Sequence, residues 1–64
     1  MKVRDVMKRI EADGWYLERI RGSHRQYAHP TKRGTVTVAG HPNKDMSLDT
    51  LKSIWNQAQL GGKS

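Results

Sequence analysis

Hydrophobic residues recur at helical spacing near both ends of the chain. The first stripe follows the i, i+3, i+4, i+7 pattern of an amphipathic helix and consists of Val3, Val6, Met7 and Ile10. The second stripe consists of Leu48, Leu51, Ile54, Trp55 and Ala58. Gly14 can adopt the left-handed conformation that closes a helix, and Ser47 is a favourable N-cap. The pattern therefore predicts one helix over about residues 3–13 and another from about residue 48 to Leu60, before Gly61-Gly62.

Three short segments between these helices have the composition of β-strands. Residues 15–21 are rich in aromatic and branched side chains, residues 24–29 end before a proline, and residues 35–39 alternate threonine with valine. Turn sequences at Gly22-Ser23 and at residues 31–34 separate them. Consecutive strands joined by such tight connections predict an antiparallel meander.

The predicted order of elements is αβββα, which indicates an α+β fold. The two apolar helix stripes can bury one face of the sheet, on which we expect Trp15, Leu17 and Tyr27, with Glu18 on the other face. The architecture is then a three-stranded antiparallel sheet with two helices on one face, similar to a double-stranded-RNA-binding domain. We interpret residues 1–64 as a single domain with a frayed tail over residues 60–64.

The distribution of charge adds a candidate partner to this fold. The net charge is +6, and all six acidic residues lie outside the interval from Arg19 to Lys44. A positive field concentrated on one part of a small domain attracts a polyanion. Nucleic acid fits better than a lipid surface, because the basic residues are not on an amphipathic helix. A basic surface that only confers solubility would have the same charge.

Composition also bears on the compartment. The chain has no cysteine, and its N-terminus lacks the apolar run of a signal peptide. It also lacks the stretch of about 18 apolar residues that a membrane span requires. We therefore expect a cytoplasmic protein without a membrane partner.

The segment with the clearest chemical potential is Gly22-Ser23-His24, which lies between Arg21 and Arg25. Imidazole has a reference pKa of ~6.5, so a histidine can take or give a proton near neutral pH. The two arginines could hold phosphate oxygens, and the supporting loop of Gly22 and Ser23 could let backbone N–H groups approach a phosphate. Taken alone, this spacing favours a histidine that begins a strand and hydrogen-bonds locally.

Other polar residues are weaker candidates. Lys32, Arg33 and Lys44 are surface residues by default and phosphate contacts by hypothesis. His29 and His41 are candidates for a second proton-transfer group, although each adjoins a proline and could equally order a loop. We expect no metal site from the three histidines, because no carboxylate or cysteine is near and the surrounding positive charge repels a cation.

An ordered set of short motifs runs through nearly the whole chain, from about Val3 to Leu60. The set consists of Gly14-Trp15, Arg19, Gly22-Ser23-His24, Tyr27, His29-Pro30, Val36-Thr37-Val38, His41-Pro42-Asn43-Lys44 and Thr50-Leu51-Lys52-Ser53-Ile54. With these motifs the chain resembles the HicA family of toxin–antitoxin systems, small messenger-RNA interferases that a HicB partner neutralises. Asp49 departs from the family pattern, in which glycine is expected before Thr-Leu.

The resemblance implies ribonuclease activity without a dedicated cofactor, and it implies that this activity depends on His24. It also implies a HicB-type antitoxin, which we expect to cover the His24 region and to be acidic there. The main hypothesis is therefore a metal-independent endoribonuclease that acts on messenger RNA. One alternative is a non-catalytic RNA-binding module that uses the same basic face. The other is a protein-interaction domain whose basic surface recognises an acidic partner.

Overall fold

The computed structural model describes residues 1–60 and contains two helices and three strands. The elements are α1 (Val3–Ala12), β1 (Tyr16–Arg21), β2 (His24–Ala28), β3 (Val36–Ala39) and α2 (Leu48–Gln57). The strands form one antiparallel sheet in the order β1-β2-β3, so β1 and β3 are its edges. The predicted αβββα order and α+β class are therefore confirmed. The predicted frayed tail lies outside the described residues apart from Leu60.

The two helices bury one face of this sheet. The core consists of Val3, Val6, Ile10, Trp15, Tyr27, Val36, Val38, Ile54 and Ala58. Tyr27 is opposite Val36 in the register, and Val38 lies two residues further along β3, so the three share the helix-facing side. The other side of the sheet is open. The prediction that Trp15 and Tyr27 point inward is confirmed. No helix within residues 1–60 has both the length and the apolar character needed to cross a bilayer.

Helix α1 ends in a Schellman motif. The Gly14 N–H donates to the Glu11 carbonyl oxygen at 2.9 Å. The Trp15 N–H donates to the Ile10 carbonyl oxygen at 3.1 Å. Gly14 has a φ of 109°, in the region that favours glycine, as predicted for this position. The motif reverses the chain sharply and directs Trp15 into the core.

Helix α2 begins at its predicted N-cap but ends before its predicted glycines. The Ser47 Oγ accepts a hydrogen bond from the Thr50 N–H at 3.3 Å. At the other end it is Gln59, with a φ of 57°, that adopts the left-handed conformation. Its side-chain amide donates to the Arg33 carbonyl oxygen at 2.8 Å. This contact helps to offset the roughly 1 kcal/mol that a non-glycine residue loses in this conformation.

A β-bulge interrupts strand β1. The register shifts between Leu17 and Arg19, which leaves Glu18 as the extra residue. Before the bulge, Leu17 is opposite Tyr27 on the helix-facing side. After it, Arg19 is opposite Gln26 on the open side. The bulge therefore explains the imperfect alternation of this segment and brings Arg19 onto the open face.

Some branched aliphatic side chains remain largely exposed. Leu17 and Ile20 lie on the helix-facing side of the sheet but are 44% and 59% exposed. Both helices pack against β3, so the edge at β1 extends beyond them. Leu48, in the first turn of α2, is 65% exposed. Leu17 therefore lies on its predicted side of the sheet but is not buried there, and the prediction that Leu48 belongs to the inner stripe of α2 is wrong.

The turn between β2 and β3 is tied to the C-terminal ends of both helices by Lys32. Its ammonium group donates to the Asp13 carboxylate at 2.6 Å. It also donates to the carbonyl oxygens of Ala58 and Gln59, both at 3.3 Å. Carbonyl groups at a helix C-terminus lack partners within the helix and attract a cation. Lys32 therefore connects α1, α2 and the β2–β3 turn.

Acid should weaken this connection. The hydrogen bond from Lys32, opposed by partial desolvation, holds the pKa of Asp13 below its ordinary value of 3.8. A lowered pKa in the folded state means that the ionised carboxylate contributes stability above the unfolded-state pKa, and that this contribution is lost as pH falls through the folded-state pKa. We expect Asp13→Asn to lower the midpoint of urea unfolding near neutral pH. We also expect a smaller further decline than in wild type between about pH 5 and pH 2. Equal declines in the two proteins would contradict this linkage.

Candidate functional site

A two-residue turn, Gly22-Ser23, joins β1 to β2 and sets Arg21 opposite His24. Gly22 has a φ of 58°, whereas the φ of Ser23 is not positive. This combination is that of a type II′ turn, which matches the twist of the two strands. Nothing lies within 4 Å of the position that a Cβ of Gly22 would occupy. The positive φ therefore accounts for glycine at this position, and a ligand can approach the turn closely.

The side chain of His24 lies on the open face at the end of the sheet. Its cross-strand neighbours are Arg21 of β1 and Ala39 of β3. Paired residues of antiparallel strands have Cα atoms about 4.5–5.5 Å apart, so the Arg21 guanidinium can reach a group bound at His24. His24 is exposed, and within residues 1–60 its imidazole forms no hydrogen bond. Both ring nitrogens are thus accessible, and the local hydrogen bonding considered as the alternative is not observed there.

Arg19 is a basic residue of this face that sequence reasoning did not select. It lies two residues before Arg21 and opposite Gln26. Strict alternation from Trp15 would have placed it on the core side, and only the bulge moves it to the face of His24. The broken alternation of residues 15–21 was the available signal. The open face therefore has two arginines beside the histidine.

Arg25 lies on the other side of the sheet from His24. It is opposite the core residue Val38, and its Nη1 donates to the Gly40 carbonyl oxygen at 3.0 Å. Neighbouring residues of a strand point to opposite faces. The prediction that Arg21 and Arg25 hold one phosphate beside His24 is therefore revised. Arg25 instead anchors the start of the loop that follows β3.

That loop brings His41 and Lys44 to the same end of the sheet as His24. Ala39 is the last residue of β3 and lies opposite His24, and the loop begins with the next residue. Both side chains are exposed. A groove of about 390 Å³ runs between the loop and the start of α2, and Ala39 and Lys44 are among the residues that line it. Of these, Ala39 is paired with His24 and lies one strand spacing, about 5 Å, from it.

The N-terminus of α1 holds this loop in place. The Val3 N–H donates to the Lys44 carbonyl oxygen at 2.9 Å. The Arg4 guanidinium donates to the Asn43 Oδ1 at 2.6 Å. The position of Lys44 relative to the sheet is therefore fixed by backbone and side-chain contacts from α1.

His29 has structural partners on both ring nitrogens. Its Nε2 lies 2.7 Å from the Asp13 carbonyl oxygen. Its Nδ1 accepts hydrogen bonds from the N–H groups of Thr31 and Lys32 at 3.1 and 3.0 Å, which leaves the ring proton on Nε2 as the donor to Asp13. His29 follows the end of β2, about 16 Å along the strand from His24. The hypothesis of His29 as a second proton-transfer group is therefore revised to a structural role.

Two predicted phosphate contacts, Lys32 and Arg33, also lie at that far end of the sheet. The ammonium group of Lys32 is already bonded to Asp13 and to the end of α2. Arg33 is exposed in the β2–β3 turn. Both residues therefore lie too far from His24 to contact a group bound there. The prediction is therefore revised for both residues: Lys32 is structural, and Arg33 could contact only a more distant phosphate.

The candidate site therefore lies at the tip of the β1–β2 hairpin and is strongly basic. Its members are Arg19, Arg21, Gly22, Ser23, His24, His41 and Lys44. Such a surface can bind a phosphate and transfer a proton at the same place. In the described part of the chain, no three histidine, cysteine or acidic side chains form a cluster that could hold a metal ion.

Comparison with known families agrees with this geometry. The family model described as "HicA toxin of bacterial toxin-antitoxin" matches residues 3–60 of the 64-residue chain. No curated protein is similar enough in sequence to match. The matched residues include both helices, all three strands and the hairpin tip, and the match confirms the family resemblance. The protein therefore belongs to the HicA toxin family and is the toxin of a bacterial toxin–antitoxin system, in which it has an antitoxin as partner.

Proposed function

We propose that this toxin is an endoribonuclease that cleaves messenger RNA by acid–base catalysis at His24, without a metal ion. The observation that carries the proposal is an exposed imidazole that has no hydrogen-bond partner within residues 1–60 and lies opposite Arg21 on a basic sheet face. Membership of the toxin family supports a nuclease activity in general. A HicB-type antitoxin neutralises the activity by covering this face.

RNA carries its own nucleophile, the 2′-hydroxyl group beside the scissile phosphate. Cleavage forms a bond between the 2′-oxygen and phosphorus and breaks the bond to the 5′-oxygen, which leaves with a proton. A base must take the proton of the 2′-hydroxyl, and neutral imidazole is suited to this because its reference pKa of ~6.5 is close to neutral pH. His24 fills this role, and catalysis of this kind accelerates a reaction typically by ~10²–10⁴-fold.

The basic residues of the same face bind the RNA backbone. Arg21 is placed to hold the scissile phosphate by charge-assisted hydrogen bonds, because it lies directly opposite His24. Arg19 extends the positive surface along β1, and Lys44 extends it towards the groove beyond Ala39. These contacts fix the position of the backbone and carry no base specificity by themselves.

His41 is our candidate for the acid that protonates the leaving 5′-oxygen. It is exposed at the same end of the sheet as His24, whereas both ring nitrogens of His29 are bonded within the fold. The loop's anchor, the Arg25 bond to the Gly40 carbonyl oxygen, lies one residue before His41.

Incubation of the purified protein with a messenger-RNA transcript tests the proposal directly. We expect the transcript to be cut into discrete fragments on a denaturing gel, because the site combines a phosphate-binding surface with an accessible base. Added EDTA should leave the rate unchanged. Intact RNA in the denaturing gel, together with a retarded band in a native gel, would instead establish the non-catalytic RNA-binding module. Cleavage abolished by EDTA and restored by a divalent ion would overturn the metal-free mechanism.

A further inference from the structure

The two edges of the sheet are protected differently. At the β3 edge, the Thr37 N–H donates to the Gln57 side-chain oxygen at 3.1 Å, so α2 occupies part of that edge. At the β1 edge, no further strand within residues 1–60 pairs with the outer side. An edge strand presents unpaired N–H and C=O groups that can accept a strand from another chain. The β1 edge is therefore the available position for an added strand.

The two sides of β1 have opposite chemical character. Arg19 and Arg21 lie on the open face with His24. Leu17 and Ile20 lie on the helix-facing side and are 44% and 59% exposed. Cross-strand pairs of opposite charge and pairs of aliphatic side chains both stabilise a sheet. A strand that alternates acidic with aliphatic residues would match both sides of β1 at once.

The same features disfavour a second copy of this chain at the β1 edge. Two β1 strands related by a two-fold axis would bring the arginines of both copies onto one face, where like charges facing each other are destabilising. The bulge at Glu18 limits the regular edge to the three residues from Arg19 to Arg21, so that any added strand pairs over a short stretch and depends on its side-chain contacts. The edge is thus protected against self-association and open to an acidic partner.

We propose that the antitoxin adds an acidic, alternating β-strand to the outer edge of β1, with its carboxylates on the face of His24. An antitoxin partner follows from the family, and the consequence for activity rests on the proposed function. A carboxylate bonded to Arg21 occupies the guanidinium that would otherwise hold the scissile phosphate. The added strand therefore inhibits by competing with RNA for the same arginine, in addition to covering the histidine.

Backbone hydrogen exchange provides the first test, with the purified cognate antitoxin as the probe. In the complex, the amides of β1 that point away from β2, such as that of Ile20, should exchange about tenfold or more slowly than in the free toxin, because the added strand accepts their hydrogen bonds. Amides of β3 near Thr37, where Gln57 already occupies the edge, should change less. Unchanged exchange over residues 18–21 would overturn the proposal.

Matched substitutions provide the second test, with affinity measured by calorimetry. Ile20→Glu should weaken binding of the antitoxin by about tenfold or more, because it places an anion against an aliphatic strand residue. Leu48→Glu makes the same change at an equally exposed aliphatic position on α2 and should leave affinity unchanged. Arg21→Glu should likewise weaken binding, whereas Arg33→Glu, which changes the net charge equally at the far end, should have little effect. Circular dichroism verifies that each variant is folded.

Besides unchanged exchange over residues 18–21, three outcomes would overturn the inference. The first is equal weakening by Ile20→Glu and Leu48→Glu. The second is a complex of wild-type affinity with Arg21→Glu. The third is a free toxin that forms a dimer with slow exchange over residues 18–21, since the edge would then be occupied by a second copy. All three outcomes are measurements of protein–protein association and do not depend on RNA cleavage. A toxin that fails to cleave RNA would therefore overturn the proposed function and leave this inference testable.

Discussion

Replacement of His24 by alanine should lower the rate of RNA cleavage by about 10²–10⁴-fold, the usual contribution of a positioned acid or base. The fold should be unaffected, because the side chain is exposed and makes no hydrogen bond within residues 1–60. RNA affinity should change little, because Arg19, Arg21 and Lys44 remain. Single-turnover cleavage of a labelled transcript, urea unfolding and filter binding measure the three quantities.

Variants of the other two histidines separate a catalytic role from a structural one. His41→Ala should slow cleavage without loss of stability, because the residue is exposed in a loop. His29→Ala should lower stability but leave the folded fraction active, because its ring is bonded to the end of α1 and to the β2–β3 turn. A wild-type rate for His24→Ala would contradict the assignment. Loss of activity in all three variants at matched folded fraction would contradict the separation of roles.

Replacement of Gly14 by alanine should lower the free energy of unfolding by about 2–4 kcal/mol. A φ of 109° is strained for alanine, at a cost of about 1–3 kcal/mol. The new Cβ would also lie 2.8 Å from the His29 Nε2, so the ring would have to move and lose its bond to the Asp13 carbonyl oxygen, about 1 kcal/mol more. A domain of this size has a total stability of only about 3–10 kcal/mol, so the loss is a large share.

Urea unfolding followed by tryptophan fluorescence measures this loss, and two further variants separate its causes. Gly34 also has a positive φ, 91°, but no atom lies within 4 Å of its Cβ position, so Gly34→Ala should show the backbone cost alone. In a His29→Ala background the collision is absent, and Gly14→Ala should then cost about as much as Gly34→Ala. An identical cost of Gly14→Ala in both backgrounds would show that the imidazole is not involved.

Elements set by local pattern were predictable from the sequence. The helical stripes located both helices, and the alternation of Thr35, Val36, Thr37 and Val38 located β3 and its buried face. The Schellman ending of α1 followed from Gly14, since no other residue type adopts that conformation readily. These features depend on residues within about one turn of one another.

Features set by contacts between distant segments were not predictable. The left-handed Gln59 depends on the carbonyl group of Arg33, and a backbone carbonyl leaves no mark on a sequence. The bulge at Glu18 changes the face of every later residue of β1. The exposure of Leu17 and Leu48 depends on how far the helices reach across the sheet.

One part of the candidate site was likewise predictable from local pattern, and another part was not. His24 and Arg21 are joined by a two-residue turn, so local reasoning brought them together. Arg25 and Lys32 were assigned to phosphate because they are basic, yet their nearest acceptors are carbonyl and carboxylate oxygens of this chain. The sequence alone does not show whether a basic side chain already has a hydrogen-bond partner within the fold.

The tip of the β1–β2 hairpin and the β2–β3 turn, which Lys32 connects to both helices, lie at opposite ends of β2, a strand of only five residues. Gly22, Ser23 and His24 are all exposed. Amino-acid substitutions at the tip that keep the turn conformation should therefore change the free energy of unfolding by no more than about 0.5 kcal/mol. Substitutions at His29 would lower stability, because its ring is hydrogen-bonded to the end of α1 and to the β2–β3 turn. Substitutions that change the proposed contacts with RNA and with the antitoxin can therefore accumulate at one end of β2 without loss of foldability. Related toxin–antitoxin pairs could thereby diverge until each toxin binds only its own antitoxin.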